Sequence, residues 1–136
     1  MDTRTKILSF QGVTSGAVQI CTGIRRLVVA AGAFDVLQAA HARFLAGLRD
    51  SDSVLLVAVW NDLTLSRLSG RPTPVLGQDA RALMVAALAA VDYVVVCSEA
   101  ELESLAAGLS PARLERSIPG ERNIIEEVRA RHEPRR

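Results

Sequence analysis

Residues 26–41, RLVVAAGAFDVLQAAH, carry the reading from which the rest of the chain follows. The apolar Leu27, Val28 and Val29 run into Ala30, Ala31 and Gly32. Ala33, Phe34 and Asp35 come next, and a helical pattern then places Gln38 and His41 three residues apart. That order spells a buried strand, a tight glycine turn and a helix that opens on the turn. Such a corner aims free backbone N–H groups and the positive end of a helix dipole at one point, which suits a phosphate. His41 is one of two histidines, the other being His132 near the end of the chain.

Outward from this corner, residues 38–49 read as a helix with Ala40, Phe44 and Leu48 facing inward. Residues 54–59, VLLVAV, form an uninterrupted apolar run of strand length, the pattern of a strand covered on both faces. Strand, helix and strand in this span predict a parallel pair with a right-handed crossover. After Trp60, Asn61 and Asp62, a short polar–apolar segment leads into a loop stiffened by Gly70, Pro72 and Pro74. A helix is expected over residues 78–90, with Leu83, Ala86, Ala87 and Ala90 on its apolar side. A third buried strand follows over residues 93–97. Ser98 can cap a helix with acids in its first turn, and Gly108 and Pro111 end it.

Residues 112–117 fit a short edge strand or a turn of helix. Residues 121–132 read as an amphipathic helix with Ile124, Ile125 and Val128 inward, and residues 133–136 as a frayed tail. Residues 1–25 form a packing arm whose Ile7, Leu8, Phe10 and Val13 could cover a sheet edge. The expected architecture is one domain over residues 26–132 with no internal repeats. It is α/β, a Rossmann-like, doubly wound parallel sheet in a three-layer α/β/α arrangement. Ligands on such sheets bind beyond the carboxyl ends of the strands, here residues 32–35 and 60–62.

Composition narrows the chemistry. The 136 residues suffice for one core, and 49% hydrophobic with only 4% aromatic residues favours helices packed on a sheet through small side chains. Sixteen Lys and Arg against fifteen Asp and Glu leave a formal charge of +1, without the field that would draw nucleic acid or an acidic membrane. Lys6 is the only lysine, so any chemistry needing one must use it. Cys21 and Cys97 lie far apart without metal-ligand spacing, which reads as two reduced thiols. With no signal-peptide pattern and no bilayer-length apolar run, the expectation is a soluble, cytoplasmic protein.

Residues 32–41, GAFDVLQAAH, resemble the G-x-F-D-x-x-H-x-G-H signature of the cytidylyltransferase-like nucleotidyltransferases. The closest likeness is to the heptose-phosphate adenylyltransferase domain, with glycerol-phosphate cytidylyltransferases next. Residues 56–62, LVAVWND, look like that group's second strand and its V-N-S-D ending. Residues 74–81 and 85–96 are similar to its R-P-V-x-x-x-x-D-R and L-A-A-L-x-x-V-D-Y-V-V segments. The likeness covers residues 26–108, with a weaker match over 119–131.

The resemblance implies transfer of AMP or CMP from ATP or CTP, with Mg²⁺, to a phosphorylated sugar or polyol, releasing pyrophosphate. Such an enzyme mainly positions an already nucleophilic phosphate and neutralises developing charge. By the same resemblance His41 and Gln38 fall on the catalytic positions. Gly32, Ala33, Phe34, Asp35 and Arg81 fall on the nucleotide-binding side, and Asn61, Asp62 and Arg71 on the substrate side. No residue is assigned to hold a metal, and a homodimer is one arrangement left open.

The chain departs from the pattern at several points. Gln38 replaces the first histidine and Ala40 the glycine, Ser69 stands where R-L-K-G has lysine, and Trp60 replaces the asparagine of V-N-S-D. Residues 119–123, PGERN, replace a Ser/Thr-rich turn, and a preceding piece of the sheet is deleted, which leaves a shortened C-terminal edge. The alternative reading is therefore a catalytically impaired relative that binds nucleotide or acts as a structural partner. His41 could be a half-buried core histidine, Asp35 a helix-start acid, Trp60 packing, and Arg81 the partner of Asp79 or another helix neighbour.

Overall fold

The two apolar runs become adjacent parallel strands. The structure, a computed structural model, describes residues 2–14 and 25–116. β2 (Arg26–Gly32) pairs with β3 (Ser53–Trp60) from Arg26 opposite Ser53 to Gly32 opposite Val59. All eight residues of β3 are buried, because β4 (Tyr93–Cys97) flanks it on its other side and helices cover both faces. Two short edge strands complete the sheet, β1 (Ile7–Leu8) beside β4 and β5 (Arg113–Glu115) beside β2. The order is β1-β4-β3-β2-β5, and every pairing is parallel. Where the sequence offered three strands, the folded chain has five among the described residues, and the choice left open at residues 112–117 falls to a strand.

Alternating side chains divide the core into two halves. Val28, Ala30, Leu55, Val57 and Val59 pack with Leu45 and Leu48 of α2 (Ala39–Leu48) and with Ala82, Val85 and Ala86 of α4 (Gln78–Ala86). Val29, Ala31, Leu56, Ala58 and Trp60 face the other way. They meet Val13 of α1 (Phe10–Thr14), Leu65 of α3 (Asp62–Ser69) and Leu102 and Leu105 of α5 (Glu99–Leu109). Helices on both faces make this the expected doubly wound α/β fold. The chain steps from β2 through β3 to β4, then returns through α5 to the far side of β2, so the strand order reverses there.

Three helical details differ from the sequence pattern. α2 turns His41, Leu45 and Leu48 inward, leaving Ala40 and Phe44 half-buried. α4 stops at Ala86, and its inner face is Arg81, Ala82, Val85 and Ala86, while Leu83 and Ala87 are exposed. The segment after Trp60 is a helix, α3. Asn61 caps it by accepting the Thr64 N–H at 2.9 Å, and Gly70 ends it in the left-handed region at φ 73°.

Cys97 is a buried free thiol, and burial together with the Glu101 carboxylate pushes its pKa up to about 12. Cys21, residues 15–24 of the expected packing arm and the helix expected over residues 121–132 lie outside the described residues. Among those residues no helix is long and apolar enough to cross a membrane.

Candidate functional site

The carboxyl ends of β2 and β3 deliver three loops to one corner, and backbone geometry shapes the first of them. Gly32 is the last residue of β2, and the left-handed turn residue is Phe34, at φ 53°. That conformation is costly for an aromatic residue and persists only where the surroundings enforce it. Here they do. Phe34 is fully buried, and its ring meets the His41 ring edge-on, with centroids 5.6 Å apart and planes at 76°. Next to it the Asp35 carboxylate accepts the N–H of Val75 at 2.8 Å and of Leu76 at 2.9 Å, which latches this turn to the loop before α4.

Gln38 stands just before α2 with extended backbone, and its N–H donates to His41 Nδ1 at 2.9 Å. An imidazole that accepts at Nδ1 carries its proton on Nε2, so His41 stands at the helix start as an Nε2–H donor. It is 1% exposed, a core histidine by burial that also sits one turn inside the helix N-terminus. The Gln38 amide nitrogen is buried with no acceptor among the described residues.

Arg81 holds the corner together. It is fully buried. Its Nε donates to the Leu76 carbonyl at 2.8 Å and one Nη to the carbonyls of Ala33 at 2.9 Å and Trp60 at 2.8 Å, while the other pairs with Asp62 Oδ1 at 2.8 Å. One guanidinium thus joins the ends of β2 and β3 to the loop before α4, with four of its five donors used. Asp79 is not its partner. Asp62 is anchored further by its N–H, which donates to Gln78 Oε1 at 2.9 Å. Asn61 spends its side chain on the α3 cap and its N–H on the Cys97 carbonyl at 2.9 Å.

The structure thus brings Ala33, Phe34, Asp35, Gln38, His41, Asn61, Asp62 and Arg81 into one corner, with Gly32 as its strand end. Arg71 lies farther along the loop that α3 feeds. Trp60 packs on the opposite sheet face with Leu65, away from α2. The sole lysine is remote, since Lys6 precedes β1 at the amino end of the parallel sheet and donates to the Leu88 carbonyl at 3.2 Å. Gln78 had no distinguishing mark in the sequence. Its role comes from standing beside Asp62 only once both helices are placed. No group of three His, Cys, Asp or Glu residues suited to a metal occurs among the described residues. Asp35 and Asp62 are committed to protein donors, so this donor set does not fit a protein-held Mg²⁺ and no step is assigned to one.

No family model matches the chain. It is similar to bifunctional HldE proteins: 40% identical over 77 residues to that of Campylobacter curvus, 57% of this chain and 16% of the relative. With the Wolinella succinogenes HldE it shares 33% identity over 110 residues, 81% of this chain and 23% of the relative. With that of Geobacter sulfurreducens it shares 37% over 90 residues, 66% and 18%. The chain therefore spans less than a quarter of these relatives' length. Among solved structures, the lipopolysaccharide core biosynthesis protein from Thermoplasma volcanium matches with a TM-score of 0.58 and 23% identity. The match covers 78% of this chain and 84% of that one, a likeness of fold.

Proposed function

We propose that this chain, a relative of the cytidylyltransferase-like nucleotidyltransferases, transfers a nucleotidyl group, AMP or CMP, from a nucleoside triphosphate to a phosphorylated sugar or polyol. In that reaction an acceptor phosphate oxygen forms a bond to the α-phosphorus. The bond from α-phosphorus to the bridging oxygen breaks, and pyrophosphate leaves with the electron pair.

The observation that supports the reading is the start of α2. There the His41 Nε2–H donor, fixed by the bond from Gln38 N–H to Nδ1, the buried Gln38 amide and the helix dipole occupy one turn beside residues 32–35. In this reading they hold the triphosphate and spread its developing charge. Arg81 and Asp35 keep the surrounding loops in place, and Asn61 and Asp62 border the acceptor side. Each preorganised donor of this kind is worth about 10²–10³ in rate.

Calorimetric titration with ATP and with CTP, Mg²⁺ present, tests binding. Pyrophosphate release across a panel of sugar and alditol phosphates tests transfer, with His41→Ala as control. Uptake of one triphosphate and acceptor-dependent pyrophosphate release are expected, and no heat with either triphosphate would sink the reading. A second reading, a relative that binds nucleotide without transferring it, is favoured by the cations: Arg81 is spent on the protein and Lys6 is at the other end of the sheet. Its mark would be heat on titration with no pyrophosphate from any acceptor.

A further inference from the structure

Arg71 is half-buried, and part of its guanidinium is enclosed without a partner among the described residues. Two of its three nitrogens, Nε and one Nη, are shut away from solvent and meet no acceptor among the described residues. Arg81, inside the corner, is the contrast, with acceptors on all three of its nitrogens. A guanidinium keeps its charge at any ordinary pH, and burying its donors without acceptors sacrifices strong hydration for nothing in return. Such donors call for acceptors beyond those the described residues supply, and an anionic ligand would provide them.

The backbone beneath Arg71 is fixed from both sides. α3 ends at Gly70 in the left-handed region, and Pro72 confines the residue before it to extended backbone. The Arg71 N–H donates to Ser69 Oγ at 3.2 Å, and Ser66 Oγ donates to the Pro72 carbonyl at 3.1 Å. From there the loop runs to Val75 and Leu76, which Asp35 ties to the turn after β2. The cation therefore stands on a pinned loop that leads into the corner, and little ordering remains to be done when an anion arrives.

We propose that Arg71 binds a phosphate group of a substrate at the rim of this corner, through the two nitrogens that lack protein acceptors. The proposal rests on the nucleotidyltransferase reading for the identity of the anion. Two sources share that chemistry, the monoester of the acceptor and the tail of the triphosphate.

The test uses the full chain. In ¹⁵N–¹H spectra the Arg71 Nε–Hε resonance, assigned by its loss in Arg71→Lys, is followed as inorganic phosphate replaces chloride at constant ionic strength. A saturable shift is expected. Calorimetry with ATP, CTP and glycerol 3-phosphate then compares wild type with Arg71→Gln. The affinity for one class should fall about ten- to a hundredfold, the scale of a lost charge-assisted hydrogen bond, and the class affected identifies the source. An Nε–Hε resonance that ignores phosphate overturns the proposal, as does an Arg71→Gln variant that binds every ligand as wild type does. Failure of the broader reading looks different: wild type gives no heat with ATP or CTP, and the phosphate titration of Arg71 still decides this proposal by itself.

Discussion

Arg81 shows what one side chain can do when three segments end at the same place. Ala33, Trp60 and Leu76 each present a carbonyl to it, and Asp62 supplies the counter-charge. Replacing it with methionine keeps much of the volume but leaves three inward carbonyls without a donor. Because Asp62 is 45% exposed and water can take over its oxygens, the loss belongs at the lower end of the range for a broken buried pair, about 3 kcal/mol. Urea unfolding of Arg81→Met should show that drop. A lysine, with one compact ammonium, cannot reach all four acceptors and should rescue little of it. An unchanged midpoint in both variants would mean the knot contributes nothing to stability. The family resemblance singles out Arg81 as a nucleotide-side residue, not as the knot between three segments. Its four acceptors lie 5, 19, 21 and 48 residues away, and no local pattern announces their convergence.

Among the elements, the central strands are the most legible part of the chain, because burial on both faces of β3 demands the apolar run from Val54 to Trp60. Helix faces are not. α2 and α4 carry alanines on several sides, so the 3.6-residue period has no single apolar stripe to mark, and packing against the sheet chose His41 and Leu45 over Ala40 and Phe44. α3 is short and polar enough to read as a loop, yet its boundaries, Asn61 and Gly70, are ordinary helix start and stop residues.

Those stops allow a test by glycine. A Cβ at Gly47, Gly70 or Gly108 would meet nothing within 4 Å, so sterics treat all three alike. Conformation does not. Gly47 and Gly108 lie within α2 and α5, where alanine should stabilise by about 0.5–1 kcal/mol, whereas Gly70→Ala, at φ 73°, should destabilise by about 1 kcal/mol. Thermal unfolding of the three variants should move in opposite directions. A common direction would show that space, not backbone, controls these positions.

At the scale of the whole molecule, the corner is a property of the sheet's topology more than of any one motif. β2 lies where the strand order reverses, so its turn can reach loops that leave β3 and enter α4, and the Asp35 carboxylate makes that reach into a latch. Val75 is 48% exposed, and its amide owes its protection to this one acceptor, whereas the amides of β2 and β3 are bonded strand to strand. Asp35→Ala should therefore speed hydrogen exchange at Val75 and Leu76 about ten- to a hundredfold, the equivalent of losing a charged acceptor worth about 1.5–3 kcal/mol, while the central strands keep their protection. Asp35→Asn, which retains one carbonyl acceptor, should fall between. If exchange at Val75 and Leu76 is the same in Asp35→Ala as in wild type, the latch does not hold in solution. If the loss spreads to β2 and β3, the corner and the sheet open as one unit.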